Sequence, residues 1–301
     1  MAPVVVLAGG TGGAKLARGM LDVAGDDLTV IANTADDIEI YGAYVSPDPD
    51  LCTFWLTDRI DDRGWGLRDD TFAVMAGLRE LGVDVWFALG DRDLAIGIER
   101  ARRLAEGARL TEALGELGAA LGLRGRVLPM SDDPVRTRVR AGGRWLGFQE
   151  FMIRTRSEGP VEDTELRGVA EAEPAPEVLT ALADARAIII GPSNPVISIG
   201  PILAVPQMRQ AVLDSPAPVV AVSPIVRGDV LKGPTAAFMR WAGYTATTAA
   251  VADCYAGLVD GLVADEQVDG MPVLRTDTLL ADPESRRRVA AETLAFAEGL
   301  A

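Results

Sequence analysis

Four aspartates stand close together in this chain: Asp36 and Asp37 within Asn33-Thr-Ala-Asp-Asp-Ile-Glu39, then Asp48 and Asp50 within Ser46-Pro-Asp-Pro-Asp50. Carboxylates are hard oxygen donors. Magnesium typically takes one or two of them, together with waters and substrate phosphate oxygens. The other reading is a solvated acidic loop in an acidic protein. The apolar and aromatic residues around the acids (Ile38, Ile40, Tyr41, Tyr44, Val45) favour a shaped site. Upstream, Ala8-Gly-Gly-Thr-Gly-Gly-Ala-Lys15 presents bare backbone amides at a helix start, which suits a phosphate or diphosphate. Acids beside such a loop suggest metal-assisted chemistry on a phosphate ester.

The glycine loop is not a P-loop, because Leu16 stands where Ser or Thr would bind magnesium. It is not a clean dinucleotide fingerprint either. Lys15 takes the third glycine position, and Asn33 stands where a ribose-binding acid is expected. Gly10, Gly12 and Gly13 then remain either phosphate contacts or packing glycines in a tight strand–helix turn.

Further polar loops punctuate the chain. Asp61-Asp-Arg-Gly-Trp-Gly-Leu-Arg-Asp-Asp70 offers Asp62, Arg63 and Trp65, whose indole would stack on a planar ring. Asp69 or Asp70 also suits a helix cap. Gly90-Asp-Arg-Asp93 either caps a helix or presents Arg92 to a phosphate. Gly191-Pro-Ser-Asn-Pro195 holds Ser193 and Asn194 in a rigid turn suited to a base, sugar or phosphate. Phe148-Gln-Glu150 and Arg154 either face a cleft or pack a strand.

Composition narrows the chemistry. Histidine is absent, which removes imidazole catalysis, His-ligated zinc and His-based triads. Lysine occurs only as Lys15 and Lys232, each beside glycine or close to it. The net charge of −15 argues against a nucleic-acid partner and leaves any phosphate site to be built locally. Cys52 and Cys254 fit no metal or redox spacing. With no apolar run of spanning length and no leader-like start, a cytoplasmic protein with no membrane partner is expected.

The elements that must position these residues read as α/β. Apolar runs ending in polar loops predict strands at Val4–Leu7, Leu28–Ala32, Val83–Leu89, Ala187–Ile190 and Pro218–Val222. Ala14–Val23 reads as a helix, with Leu16, Met20 and Val23 on its apolar positions, and the periodicity from Leu94 to Leu123 is helical. Arg136–Arg140, Gly142-Gly143 and Trp145–Phe148 read as a hairpin. The expected fold is a Rossmann-like three-layer sandwich with a mostly parallel sheet. Its core spans residues 1–100 and 176–301, and an α+β subdomain is inserted at 101–175. In such sheets ligands bind outside the carboxyl ends of the strands. The loops Gly9–Gly13, Asn33–Asp37, Gly90–Asp93, Gly191–Asn194 and Ser223–Pro224 should therefore converge on one crevice.

Taken in order, these motifs resemble the 2-phospho-L-lactate transferase family of coenzyme F-420 biosynthesis. The likeness also takes in Leu89-Gly-Asp-Arg-Asp-Leu94, Ser198-Ile-Gly-Pro-Ile-Leu203 and Ser223-Pro-Ile225 and spans nearly the whole chain. The resemblance implies transfer of a phospho-(three-carbon acid) group to the ribityl hydroxyl of the deazaflavin Fo. The donor would be lactyl- or enolpyruvyl-2-diphospho-5′-guanosine, and GMP would leave. It also implies magnesium, a homodimer and a guanylyltransferase that supplies the donor. On this pattern Asp36 and Asp50 would hold the metal, with Asp48 as ligand or base. Gly10, Gly12 and Gly13 would meet the donor phosphates, with Arg92 a further phosphate candidate. Ser193 and Asn194 would hold the nucleotide, and Asp62, Arg63 and Trp65 would border the deazaflavin. Tyr41 and Cys52 depart from the family pattern, and phospholactate, phosphoenolpyruvate and 3-phosphoglycerate all stay open as the acid. The competing class is a nucleotide-sugar-binding regulator of the gluconeogenesis-factor branch, which lacks the run Ile38-Glu-Ile-Tyr-Gly42 after its acidic pair.

Overall fold

A computed structural model describes residues 2–231 and 233–301. Lys232 therefore lies outside the described residues. The first strand, β1 (Val4–Ala8), is fully buried. It runs into α1 (Gly10–Ala24), β2 (Leu28–Ala32), the hairpin of β3 (Ile38–Ile40) and β4 (Ala43–Val45), and α2 (Pro47–Leu56). Next come α3 (Ala73–Glu80), α4 (Asp91–Ala105), α5 (Leu110–Leu121) and β5 (Arg126–Pro129). A small unit of β6 (Arg136–Ala141), β7 (Arg144–Gly147), α6 (Phe148–Arg154) and β8 (Asp163–Arg167) follows. The chain then forms α7 (Pro176–Ala183) and β9 (Ala187–Ile190), a π-turn at Pro195–Ile199, α8 (Gly200–Ala204), α9 (Met208–Leu213) and β10 (Val219–Val222). It ends with β11 (Ile225–Val226), β12 (Asp229–Val230), α10 (Thr235–Trp241), α11 (Thr248–Cys254), β13 (Gly261–Ala264), β14 (Val273–Arg275) and α12 (Pro283–Glu298).

Among the described residues the central sheet has seven parallel strands in the order β14-β13-β10-β9-β1-β2-β5. Parallel strands covered on both faces bury every side chain, which is why they read as unbroken apolar runs. Val4, Val6 and Ala8 point into the core shared with α1, α2 and α12, and Val5 and Leu7 into the core shared with α7 and α9. Each such Val or Leu contributes about 1.5–3 kcal/mol by leaving water. The chain builds outward from β1 to β2 and β5, then returns to the other side of β1 with β9. This reversal between β1 and β9 is the switch point where doubly wound sheets bind ligands.

Two expectations need correction. Residues Val83–Leu89 form no strand, although their pattern is strand-like. The segment is half-exposed over the β3–β4 hairpin, where the Phe87 N–H donates to the Tyr41 hydroxyl at 3.3 Å. The stretch 101–175 is not one insertion, because β5 pairs in parallel with β2 and closes that edge of the main sheet. The separate unit is the antiparallel sheet β7-β6-β8 with α6, and its hairpin turns at Gly142-Gly143 as expected.

At the switch point α1 presses against the loop after β9. A Cβ on Gly12 would lie 2.0 Å from the Pro192 carbonyl oxygen, and one on Gly13 would lie 2.7 Å from Ser193 Oγ. Both positions require glycine for close approach, so the packing reading of these glycines holds. Gly77 in α3 faces open space. We predict that Gly12→Ala costs about 1–3 kcal/mol through overpacking, whereas Gly77→Ala gains about 0.5–1 kcal/mol of helix stability. Urea denaturation of the two variants checks the opposite signs.

Candidate active site

A cleft of about 670 Å³ opens at the switch point. Its floor is Gly9, Gly10, Thr11 and Gly12 after β1 and Pro192, Ser193 and Asn194 after β9. Asp36 and Asp48 stand on one side. Phe148, Gln149 and Met152 of α6 cover part of it, and Ser223, Pro224, Val230 and Thr278 line the flank beyond β10.

The first turn of α1 explains how the parts are held. Four N–H groups at a helix start have no partner within the helix. The Gly9 N–H donates to Ser193 Oγ at 3.3 Å, and the Gly10 N–H donates to Asp48 Oδ1 at 2.7 Å. Thr11 and Gly12, both on the cleft wall, supply the two remaining donors. Asp48 Oδ2 accepts from Asn33 Nδ2 at 3.0 Å, so the end of β2 and the start of α1 share one carboxylate. Asn33 Oδ1 in turn accepts from the Ala35 N–H at 2.9 Å and shapes the loop that carries Asp36. Gln149 Nε2 donates to the Asp36 carbonyl at 3.4 Å, which ties α6 to that loop.

Burial governs the acids. It holds the Asp36 carboxyl well above the usual carboxylate range, with the nearby Asp48 charge adding to the effect. Burial pushes Asp48 up to about 6, against the pull of the Gly10 N–H and the Asn33 amide. Asp36 Oδ1 is buried without a hydrogen-bond partner. Asp37 is pushed up to about 7 by burial, opposed by Arg136 and by the Ser46 hydroxyl, which donates to it at 2.8 Å.

The family model described as 2-phospho-L-lactate transferase CofD matches residues 4–292. The chain belongs to the 2-phospho-L-lactate transferase family. It is 37% identical over 298 residues to a 2-phospho-L-lactate transferase of Methanosarcina mazei, covering 95% of this chain and 98% of that one. It is 40% identical over 313 residues to a phosphoenolpyruvate transferase of Kitasatospora aureofaciens, covering 98% of each. A crystal structure of a UPF0052-family protein from Bacillus halodurans superposes with a TM-score of 0.63 at 18% identity, covering 98% of this chain and 100% of that one, which shows a shared fold. As a member of the family the protein is a transferase. Among the described residues no helix is long and apolar enough to cross a membrane.

Within this transferase the expected site residues divide. Gly10, Gly12, Asp36, Asp48, Trp65, Ser193 and Asn194 line the cleft. Gly13 sits beneath it as a packing residue. Trp65 is 62% exposed at the rim, with the Arg63 guanidinium 5.0 Å from its ring centroid. Asp62 and Arg63 are exposed and not among the lining residues, and Arg63 donates to Asp61 at 2.6 Å. Asp50, expected on the metal, instead pairs with the fully buried Arg100. Arg100 Nη1 also donates to the Tyr44 carbonyl at 2.8 Å, so it clamps β4 and α2 together. Arg92 is exposed at the start of α4 and outside the cleft, because the strand expected before it is absent. That turn is a reciprocal cap. Asp70 accepts from the Arg92 N–H at 2.9 Å, and Asp91 accepts from the Ala73 and Val74 N–H groups at 3.0 Å.

Tyr41 and Cys52 do not line the cleft. Of the polar α6 candidates, Gln149 reaches it, whereas Glu150 does not line it and Arg154 pairs with Asp84. Lys15, Ser198, Thr235 and Thr278 also line the cleft without having been assigned a role from the sequence. Lys15 carried a signal as a rare lysine closing the glycine loop, and Ser198 as the first residue of a motif shared with the family. Replacing Arg100 by Met would leave the Asp50 carboxylate buried without its cation. We predict a loss of about 3–5 kcal/mol, read as a lower urea midpoint, with Arg100→Lys falling between the two.

Proposed function

We propose that the protein transfers a phospho-(three-carbon acid) group from a guanosine-diphosphate-linked donor of the lactyl or enolpyruvyl kind to the ribityl hydroxyl of the deazaflavin Fo. GMP leaves, and the product is coenzyme F-420-0 or its dehydro form. The observation that carries this reading is the placement of Asp36 and Asp48 beside the open first turn of α1, in a chain that matches phospho-acid transferases along nearly its whole length. Phosphoryl transfer asks for alignment and charge neutralisation more than for a strong base, so a site without histidine suffices.

The donor phosphates would lie on the Thr11 and Gly12 amides, where the helix dipole favours anions. Ser193 and Asn194 border the same anchor and suit the nucleotide. Trp65 offers the deazaflavin an aromatic face at the rim. Magnesium fits the donor set beside that same turn. The orphaned Asp36 Oδ1 is a buried oxygen that lacks a partner, and Asp48 is its neighbour. Magnesium completes its shell with water and substrate oxygens. Asp36 and Asp48 would hold it, and when bound it would neutralise phosphate charge. The reading also carries a homodimer and a guanylyltransferase that makes the donor.

A magnesium-dependent assay tests this. It combines Fo, GTP, a guanylyltransferase and phospholactate, phosphoenolpyruvate or 3-phosphoglycerate in turn, read by mass spectrometry. One acid should yield a deazaflavin phosphodiester. Fo binding without product from any acid refutes the donor class, and failure to bind Fo favours a nucleotide-binding regulator. Asp36→Ala should lower turnover by about 10²–10³-fold or more while the protein stays folded; near-normal activity refutes its role.

A further inference from the structure

The charges lining the cleft do not balance. On the reading above, a diphosphate and a carboxylate-bearing acid enter a cleft whose own acids are Asp36 and Asp48. Among the described residues, Lys15 is the one cationic side chain on its wall. A bound magnesium offsets part of the total, and its place is beside the two aspartates. Lys15 stands on α1, within the same helix start that offers the Thr11 and Gly12 amides.

Helix geometry directs this lysine. Side chains on a helix lean toward its N-terminus, and Lys15, one turn into α1, lines the cleft. Its Nζ lies 5.7 Å from the ring centroid of Trp55 on α2. The Arg286 guanidinium approaches the same indole at 4.9 Å. The ring thus gives the ammonium a face to rest on.

The choice of residue adds weight. Lysine and arginine together number 29, and the lysines are Lys15 and Lys232 alone. Surface ion pairs such as Arg18–Asp22, Arg102–Glu106, Arg109–Glu177 and Arg186–Glu298 use arginine. A lysine at the cleft stands against that habit. Its ammonium is a compact point charge on a flexible stem, able to follow an oxygen as charge moves.

We propose that Lys15 is a catalytic cation, contacting the leaving-group phosphate of the donor, with Trp55 as its positioning residue. In the step, the acceptor oxygen–phosphorus bond forms and the phosphorus–oxygen bond to GMP breaks. The bonding pair stays on the GMP oxygen, and the acceptor's proton goes to a cleft carboxylate. The ammonium keeps its three protons and donates a hydrogen bond to the oxygen where charge develops. This rests on the transferase reading above.

Calorimetry of guanosine, GMP and GDP in magnesium buffer tests it on the wild type, Lys15→Met and Lys15→Arg, alongside turnover. The wild type should gain affinity with each added phosphate. In Lys15→Met the step from guanosine to GDP should shrink about tenfold or more while guanosine binds unchanged, and kcat should fall about 10²–10³-fold with the Fo KM intact. Lys15→Arg, which keeps the charge, should recover most of the GDP step and only part of kcat. An unchanged GDP step in folded Lys15→Met, or an equal loss of guanosine, overturns the proposal. Should the wild type prefer uridine or adenosine nucleotides, the donor assigned above falls. The same comparison in that series then decides Lys15 by the same two outcomes.

Discussion

The site depends on one close approach, that of the first turn of α1 to the loop after β9. Gly12 and Gly13 allow it, because a side chain at either would meet Pro192 or Ser193. The approach brings Ser193 to the Gly9 N–H and leaves the Gly10 N–H to Asp48. The two halves of the sheet are thereby joined at the amides that open the cleft. Moving either loop by an ångström would break these bonds and shift the donors together with the acids. A helix start held in this way needs no reorganisation when an anion arrives, which is where electrostatic stabilisation gains most.

Buried charge divides the acidic loop into structure and chemistry. Asp50 receives Arg100, and Asp37 receives the Ser46 hydroxyl with Arg136 nearby. Asp48 receives an amide and the Asn33 side chain, while Asp36 Oδ1 and Asp37 Oδ2 are each buried without a partner, and of these two acids Asp36 lines the cleft. Removing a carboxylate from water costs several kcal/mol unless something compensates. Burial therefore raises Asp36 and Asp48, and the same penalty makes their pocket receptive to a cation. Arg100 acts at a distance from this. By fixing α2 against β4 it sets where Asp48 stands, two residues before its own partner.

Much of this was legible in sequence, for specific reasons. β1, β2, β9 and β10 are fully buried, so their apolar runs were unmistakable, and four of the five polar loops converge as topology requires. Val83–Leu89 has the same pattern yet forms no strand, because composition cannot say whether a sheet edge is within reach. β5 opens on the exposed Arg126 and closes on Pro129, and none of the three residues of β14 is fully buried, so neither reads as an apolar run, whereas β13 is as short and as buried as β9 and opens on a glycine. Asp50 and Asp48 stand at equivalent spacing in Ser46-Pro-Asp-Pro-Asp50. Only the distant Arg100, on α4, decides which of them turns inward to an ion pair and which faces the cleft.

The overall charge of −15 repels the anionic substrates that the proposed reaction requires. On the proposed reading, attraction would come from short-range sources: the helix amides, a magnesium ion and Lys15. These act on phosphate, and every candidate donor carries the same diphosphate. Phospholactate and phosphoenolpyruvate donors also share a carboxylate and differ by two hydrogens and the shape of two carbons. Charge cannot separate them. A difference of that size in an apolar pocket is worth about 1–3 kcal/mol, so the choice of acid belongs to the cleft's apolar wall. Phe148, Met152 and Ile197 are on that wall, and two of them come from the small antiparallel unit rather than the sheet. Phosphate binding and the choice of acid would then reside on different parts of the chain, so that one can change without disturbing the other.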